Sequence, residues 1–127
     1  MRLVPSQFPD DCGVSALACW AGVGYDTAYD AIWPDHKPRC DEHSTWPRQV
    51  VAAIDRLGLG RWEAVETKDW TSVPNGSIVT VVIRENDVDG WHWVVKSRTG
   101  LVLDPLRPHS RTLPANYRVK NYLERVP

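Results

Sequence analysis

The chain has 127 residues, of which 43% are apolar and 24% charged, and its formal net charge is −1. A chain of this length can bury a core without disulfides or metals, so we expect a single domain over residues 1–127. The near-zero charge excludes a global attraction to nucleic acid. No apolar run approaches the roughly 18 residues that span a bilayer, and no signal peptide is visible. We therefore expect a cytoplasmic protein that binds neither nucleic acid nor membrane.

The first predicted element is a helix that begins at Cys12, within the stretch QFPDDCGVSALACW at residues 7–20. The preceding Pro-Asp-Asp resists helix, whereas the alanines and leucine that follow favour it. A helix N-terminus offers unpaired N–H groups and the positive end of the helix dipole, which favour a thiolate. Cys12 is therefore a candidate nucleophile. The alternative is a buried cysteine that acts only as a small apolar residue.

Gln7 lies five residues before Cys12 and carries a side-chain amide. An amide at such a place can donate to the oxygen that becomes negative during acyl transfer. Cys19 follows Cys12 by seven residues, which is two helical turns or about 10 Å, and we expect it in the core. With Cys40 the cysteines number three, so they cannot all form internal disulfides, and reduced thiols fit the cytoplasm.

Two more helices are predicted in the first half of the chain. Asp26 or Thr27 can cap the second helix, and Pro34 ends it. The third has Pro47 in its first turn, apolar residues at helical spacing, and Gly58 beyond its last turn.

The polar segment between these two helices contains His36, Cys40 and His43, which on paper are three zinc ligands. A structural zinc site needs four nitrogen or sulfur ligands, and no fourth lies at a suitable spacing. We therefore predict no metal and no cofactor, and an exposed loop beside the site.

The spacing of apolar residues changes from the helical to the strand period near Arg61. A last segment, near Tyr117, is predicted as a strand or a helical turn. The strand candidates are residues 62–65, 77–84, 91–97 and 101–103, separated by glycine-containing and polar turns.

His92 and Asp104 fall on two successive predicted strands that a short turn connects. Antiparallel pairing of these strands can bring the imidazole and the carboxylate together, which supplies a base and the group that orients it. Because strand side chains alternate, Trp91 and Trp93 should face the core if His92 faces a cleft. His109, in a proline-rich loop, is a weaker candidate for the base.

With Gln7, Cys12, His92 and Asp104 in this order, the chain resembles the papain-like cysteine peptidases. It is most similar to the peptidase domains that remove double-glycine leaders from bacteriocin precursors. The resemblance rests on Q-x4-C-G at the start of a helix, on the HWVV strand and on G-L-V-L-D-P. The DCG motif also looks like the SUMO proteases, but there the histidine and aspartate precede the cysteine.

The resemblance implies an α+β papain-like fold in which N-terminal helices pack on a C-terminal antiparallel sheet. It also implies a nucleophile Cys12, a base His92, an orienting Asp104, and Gln7 as oxyanion stabiliser. We expect a cysteine peptidase that cleaves a peptide or isopeptide bond in a peptide or protein substrate. A deamidase or acyltransferase could use the same residues. A catalytically silent module that binds a partner protein is the opposing possibility.

Overall fold

The computed structural model describes residues 1–7, 11–35 and 45–127, and in them three helices precede an antiparallel sheet of five strands. This confirms the predicted α+β arrangement, with N-terminal helices packed on a C-terminal sheet. The helices are α1 (Cys12–Ala21), α2 (Tyr25–Ile32) and α3 (Pro47–Arg56), and the strands are β1 (Trp62–Glu66), β2 (Ile78–Glu85), β3 (Val88–Lys96), β4 (Val102–Leu103) and β5 (Tyr117–Arg125).

The sheet has the strand order β1-β5-β2-β3-β4, so the last strand of the chain lies between β1 and β2. The segment that begins at Tyr117 is thus a strand and not a helical turn. Its burial alternates at the start, where Tyr117 and Val119 are buried and Arg118 and Lys120 are exposed, as expected for a strand with one face in the core.

Each face of the sheet has its own apolar cluster. Trp93 and Val95 of β3 pack with the three helices in the larger cluster, whereas Val94 belongs to the smaller cluster on the other face. The expectation that Trp93 faces the core is confirmed. The same expectation for Trp91 is wrong, because its side chain is 53% exposed. Trp91 lies nearer the start of β3, where it contacts the exposed ring of Trp46 at 6.1 Å between centroids.

The helix ends follow local backbone chemistry. Gly22 adopts a left-handed conformation with φ of 71° and ends α1, as glycine does most easily. Helix α2 starts at Tyr25, earlier than a cap at Asp26 or Thr27 predicts. Gly24 is the residue before it, and the Gly24 carbonyl accepts the N–H of Ala28 at 3.1 Å.

The turn between β2 and β3 is tighter than the predicted strands imply, since those end at residue 84 and resume at residue 91. Asn86 and Asp87 both have positive φ, of 50° and 61°, which fits a two-residue hairpin turn. The strand therefore resumes at Val88 and extends β3 three residues toward the turn. Among the described residues, no helix is both long enough and apolar enough to cross a membrane.

Candidate active site

Cys12 is the first residue of α1, as the sequence predicts, and it is partly buried. The first bond of the helix runs from the Ser15 N–H to the Asp11 carbonyl, at 3.1 Å. The N–H groups of Cys12, Gly13 and Val14 therefore have no acceptor within the helix. Cys12 is thus at the end of α1 where the helix dipole favours a negative charge.

Asp11 fixes the chain just before the nucleophile, a role that the sequence did not reveal. Its side chain is buried, and Oδ2 accepts the Tyr25 hydroxyl at 2.6 Å and the Gln7 backbone N–H at 2.8 Å. Burial, and then the hydrogen bond to Asp11, raise the pKa of Tyr25, so its hydroxyl remains a donor. Asp11 thus joins the N-terminal segment, the start of α1 and the start of α2.

Gly13 allows the start of α1 to approach its neighbours closely. A Cβ at Gly13 would lie 1.9 Å from Thr45 Oγ1 and 3.2 Å from Trp93 Cδ1. No larger residue fits without displacing these side chains. The glycine that follows Cys12 therefore sets how closely α1 approaches β3.

His92 and Asp104 form the buried pair that the sequence predicts. His92 Nε2 lies 2.7 Å from Asp104 Oδ1, and the two side chains are 3% and 1% exposed. The strands carry them there because Val95 of β3 pairs with Leu103 of β4, and Asp104 follows β4 directly. The carboxylate thus lies next to the histidine in spite of the short β4.

Asp104 accepts two further hydrogen bonds. The Tyr117 hydroxyl donates to Oδ2 at 2.6 Å, and the Leu106 N–H donates to Oδ1 at 2.9 Å. Burial by itself would raise the pKa of Asp104, but the hydrogen bond and charge of His92 and the other donors outweigh it and lower that pKa. Asp104 is therefore a carboxylate at neutral pH. Tyr117 is a second functional residue that the sequence did not reveal.

Cys12 and His92 line the same cleft, and Cys12 is close enough to the ring to affect the pKa of His92. Because Nε2 faces Asp104, Nδ1 is the ring nitrogen available to the sulfur. Burial disfavours the charged ring, but hydrogen bonds to Asp104 and Cys12, together with their charges, outweigh burial and raise the pKa of His92 to about 9. His92 is therefore an imidazolium at neutral pH, with a carboxylate on one side and the cysteine on the other.

Cys12 and His92 open onto a cleft of about 520 Å³. Its walls come from the start of α1, from the β2–β3 hairpin and from the loop after β4. The described residues that line it are Ser6, Asp11, Cys12, Ile83, Glu85, Asn86, Val88, Gly90, Trp91, His92 and Leu106.

The remaining site predictions have different outcomes. Gln7 is tied to Asp11 through its backbone, but its side chain is exposed and is not among the described residues that line the cleft. Its role stays a prediction. Cys19 is buried as expected, and burial raises the pKa of its thiol. His109 is exposed and does not line the cleft.

The possible zinc ligands His36, Cys40 and His43 lie outside the described residues. Within residues 1–7, 11–35 and 45–127, no group of three or more histidine, cysteine or acidic side chains is placed to hold a metal ion.

No protein-family model matches the chain, and no curated protein matches its sequence. The functional argument therefore depends on the arrangement of Cys12, His92 and Asp104 itself.

Proposed function

We propose that the chain is a cysteine peptidase-like hydrolase with a papain-like fold, which cleaves a peptide or isopeptide bond by acyl transfer through Cys12. The observation that supports the proposal is the alignment of three side chains. Cys12 at a helix N-terminus lines the same cleft as His92 and is close enough to raise the pKa of its ring, and His92 Nε2 lies 2.7 Å from the buried Asp104. A nucleophile, a base and an orienting carboxylate in this order are the parts that thiol acyl transfer requires.

In the first half of the reaction, the Cys12 sulfur attacks the carbonyl carbon of the substrate. The imidazolium of His92 stabilises the negative sulfur before the attack and then gives its proton to the leaving nitrogen. The C–N bond breaks, an amine leaves, and the acyl group remains on Cys12 as a thioester. Asp104 keeps the ring oriented throughout, because its carboxylate accepts a hydrogen bond from the Nε2–H group.

In the second half, water attacks the thioester. His92 is now neutral and takes a proton from the water, and the thiolate leaves as the acid product forms. His92 is protonated again and Cys12 is free of the acyl group, so water is the only co-reactant consumed.

The negative oxygen that forms in each half needs donors. The N–H of Cys12 is one, because the helix leaves it without an acceptor. Gln7 is the other in this proposal. Its backbone is held by Asp11 beside Cys12, and its exposed side chain can turn toward the cleft.

The test is hydrolysis of a peptide library with small residues, especially glycine pairs, before the scissile bond. We expect Cys12→Ala to abolish turnover and His92→Ala to be nearly as severe, because such residues act as a unit. Asp104→Asn should be milder, and Gln7→Ala should cost on the order of a hundredfold or more in rate. His109→Ala is the matched control, since it removes an exposed imidazole outside the cleft.

Two outcomes contradict the proposal. If wild type and Cys12→Ala are equally inert on every peptide yet bind one partner protein equally well, the chain is a binding module. If ammonia or a transferred acyl product appears without peptide cleavage, the same residues serve a deamidase or an acyltransferase.

A further inference from the structure

The cleft extends beyond the three catalytic candidates along the β2–β3 hairpin. On β3, Val88 and Gly90 share a face with His92, because side chains two residues apart point the same way. On β2, Glu85 is opposite Val88 and Ile83 is opposite Gly90. These residues all line the cleft, so its floor continues from His92 toward the hairpin turn.

Gly90 leaves a gap in this floor. A Cβ built on Gly90 would have only the Ile83 carbonyl oxygen within 4 Å, at 3.9 Å. Its φ is not in the left-handed region, so the backbone does not demand glycine there. Gly90 is two residues from His92 on β3, which is about 6.6 Å along the strand. The gap is therefore one or two substrate residues away from His92.

The walls of the gap are apolar. Ile83 is partly exposed, Val88 is 67% exposed and Leu106 is 64% exposed. Exposed aliphatic side chains around a catalytic cleft can cover the stem of a substrate side chain.

The far end of the gap carries one exposed carboxylate, that of Glu85. Among the described residues that line the cleft, the ionisable acids are Asp11 and Glu85, and there is no lysine or arginine. Asp11 is buried and already accepts two hydrogen bonds, whereas Glu85 is exposed. The neighbouring Arg84 bonds to Asp89, at 3.0 Å, on the same hairpin.

We propose that Ile83, Glu85, Val88, Gly90 and Leu106 form a side-chain subsite for a lysine or arginine of the substrate, which we call the Gly90 subsite. The aliphatic stem lies over Gly90 against the apolar walls, and the cationic end reaches Glu85. Lysine and arginine suit such a place because they combine an apolar stem with a charged end.

The Gly90 subsite lies on the leaving-group side of the scissile bond, and this assignment rests on the proposed function. His92 gives its proton to the leaving nitrogen, so the segment that leaves must pass His92. The gap lies beyond His92 on the same strand. The basic residue is therefore the first or second residue after the scissile bond.

The experiment measures binding and turnover separately. Fluorescein-labelled octapeptides share a glycine pair before the central bond and carry lysine, norleucine, glutamate or glycine in both positions after it. Binding to Cys12→Ala is measured by fluorescence anisotropy, and hydrolysis by wild type is measured by mass spectrometry. Norleucine keeps the stem of lysine without its charge.

We expect Cys12→Ala to bind the lysine peptide about fivefold more tightly than the glutamate peptide at low salt, with norleucine between them. The difference should shrink at high salt, because the charges are exposed. Adding Glu85→Lys should reverse the order, whereas Glu63→Lys, the same charge change on β1 outside the cleft, should leave it unchanged. Gly90→Val should weaken binding of the lysine peptide but not of the glycine peptide.

Each remaining result has one interpretation. Equal binding of lysine and glutamate peptides, or an unchanged order in Glu85→Lys, overturns the Gly90 subsite. Hydrolysis without preference overturns the subsite but keeps the proposed function. Preferential binding without hydrolysis by wild type overturns the proposed function and leaves a binding site for basic peptides. Neither binding nor hydrolysis overturns both.

Discussion

Raising the pH removes the proton that His92 holds in the folded protein, and this should cost stability. The pKa of His92 is about 9 in the fold, against an ordinary value of 6.5. Because the folded value is the higher one, the stabilisation is complete below about pH 6.5 and is lost as the pH rises through about 9. At about 1.4 kcal/mol for each pH unit, the free energy of unfolding should fall by about 3 kcal/mol over this range.

The assay is urea denaturation at a series of pH values between 6 and 10, followed by the fluorescence of the tryptophans, of which the chain has seven. His92→Gln should remove most of the pH dependence across this window. His109→Gln, which removes an exposed imidazole, should retain it. Equal slopes for wild type and His92→Gln would mean that His92 is not protonated between Cys12 and Asp104, and the reasoning about the ion pair would be wrong.

Two further predictions concern the support of the site, and both are measured by urea denaturation at pH 7. Tyr117→Phe should lower the free energy of unfolding by about 1.5–3 kcal/mol, because the buried Asp104 carboxylate loses a charge-assisted hydrogen bond. A loss of unfolding free energy below about 0.5 kcal/mol would contradict the hydrogen bond from Tyr117 to Asp104. Gly13→Ser should lower the free energy of unfolding by about 1–3 kcal/mol or more, because the new Cβ collides with Thr45. Gly24→Ser is the control. It lies in open space before α2 and should change the free energy of unfolding by less than about 0.5 kcal/mol. Equal effects of the two serine substitutions would show that the close approach is not needed.

The meeting of His92 and Asp104 could be predicted from the sequence because both residues lie near one short turn. Once two strands with such a connection pair antiparallel, the distance between their side chains is largely fixed. The place of Cys12 at a helix N-terminus could likewise be predicted, since proline and aspartates before it and helix formers after it act locally.

The roles of Asp11 and Tyr117 depend on contacts between distant elements, and local patterns do not contain them. Tyr117 reaches Asp104 only because β5, the last strand, lies inside the sheet between β1 and β2. In the sequence Asp11 is only part of the Pro-Asp-Asp stretch that resists helix, whereas in the structure it is buried and its carboxylate accepts the Tyr25 hydroxyl on α2. Trp91 was expected in the core because strand alternation places it on the same face as Trp93. Alternation does not predict where the helices that cover this face end, and Trp91 is exposed.

The rate at which Cys12 is alkylated tests the catalytic assignment most directly. The folded protein is treated with limiting iodoacetamide at pH 6.5, and the modified cysteines are located by peptide mass mapping in wild type and in His92→Ala. We expect Cys12 to react at least tenfold faster than Cys19, which is buried, and faster than Cys40. His92→Ala should remove this advantage. Equal rates at the three cysteines, or an unchanged Cys12 rate in His92→Ala, would contradict the assignment of Cys12 as a nucleophile.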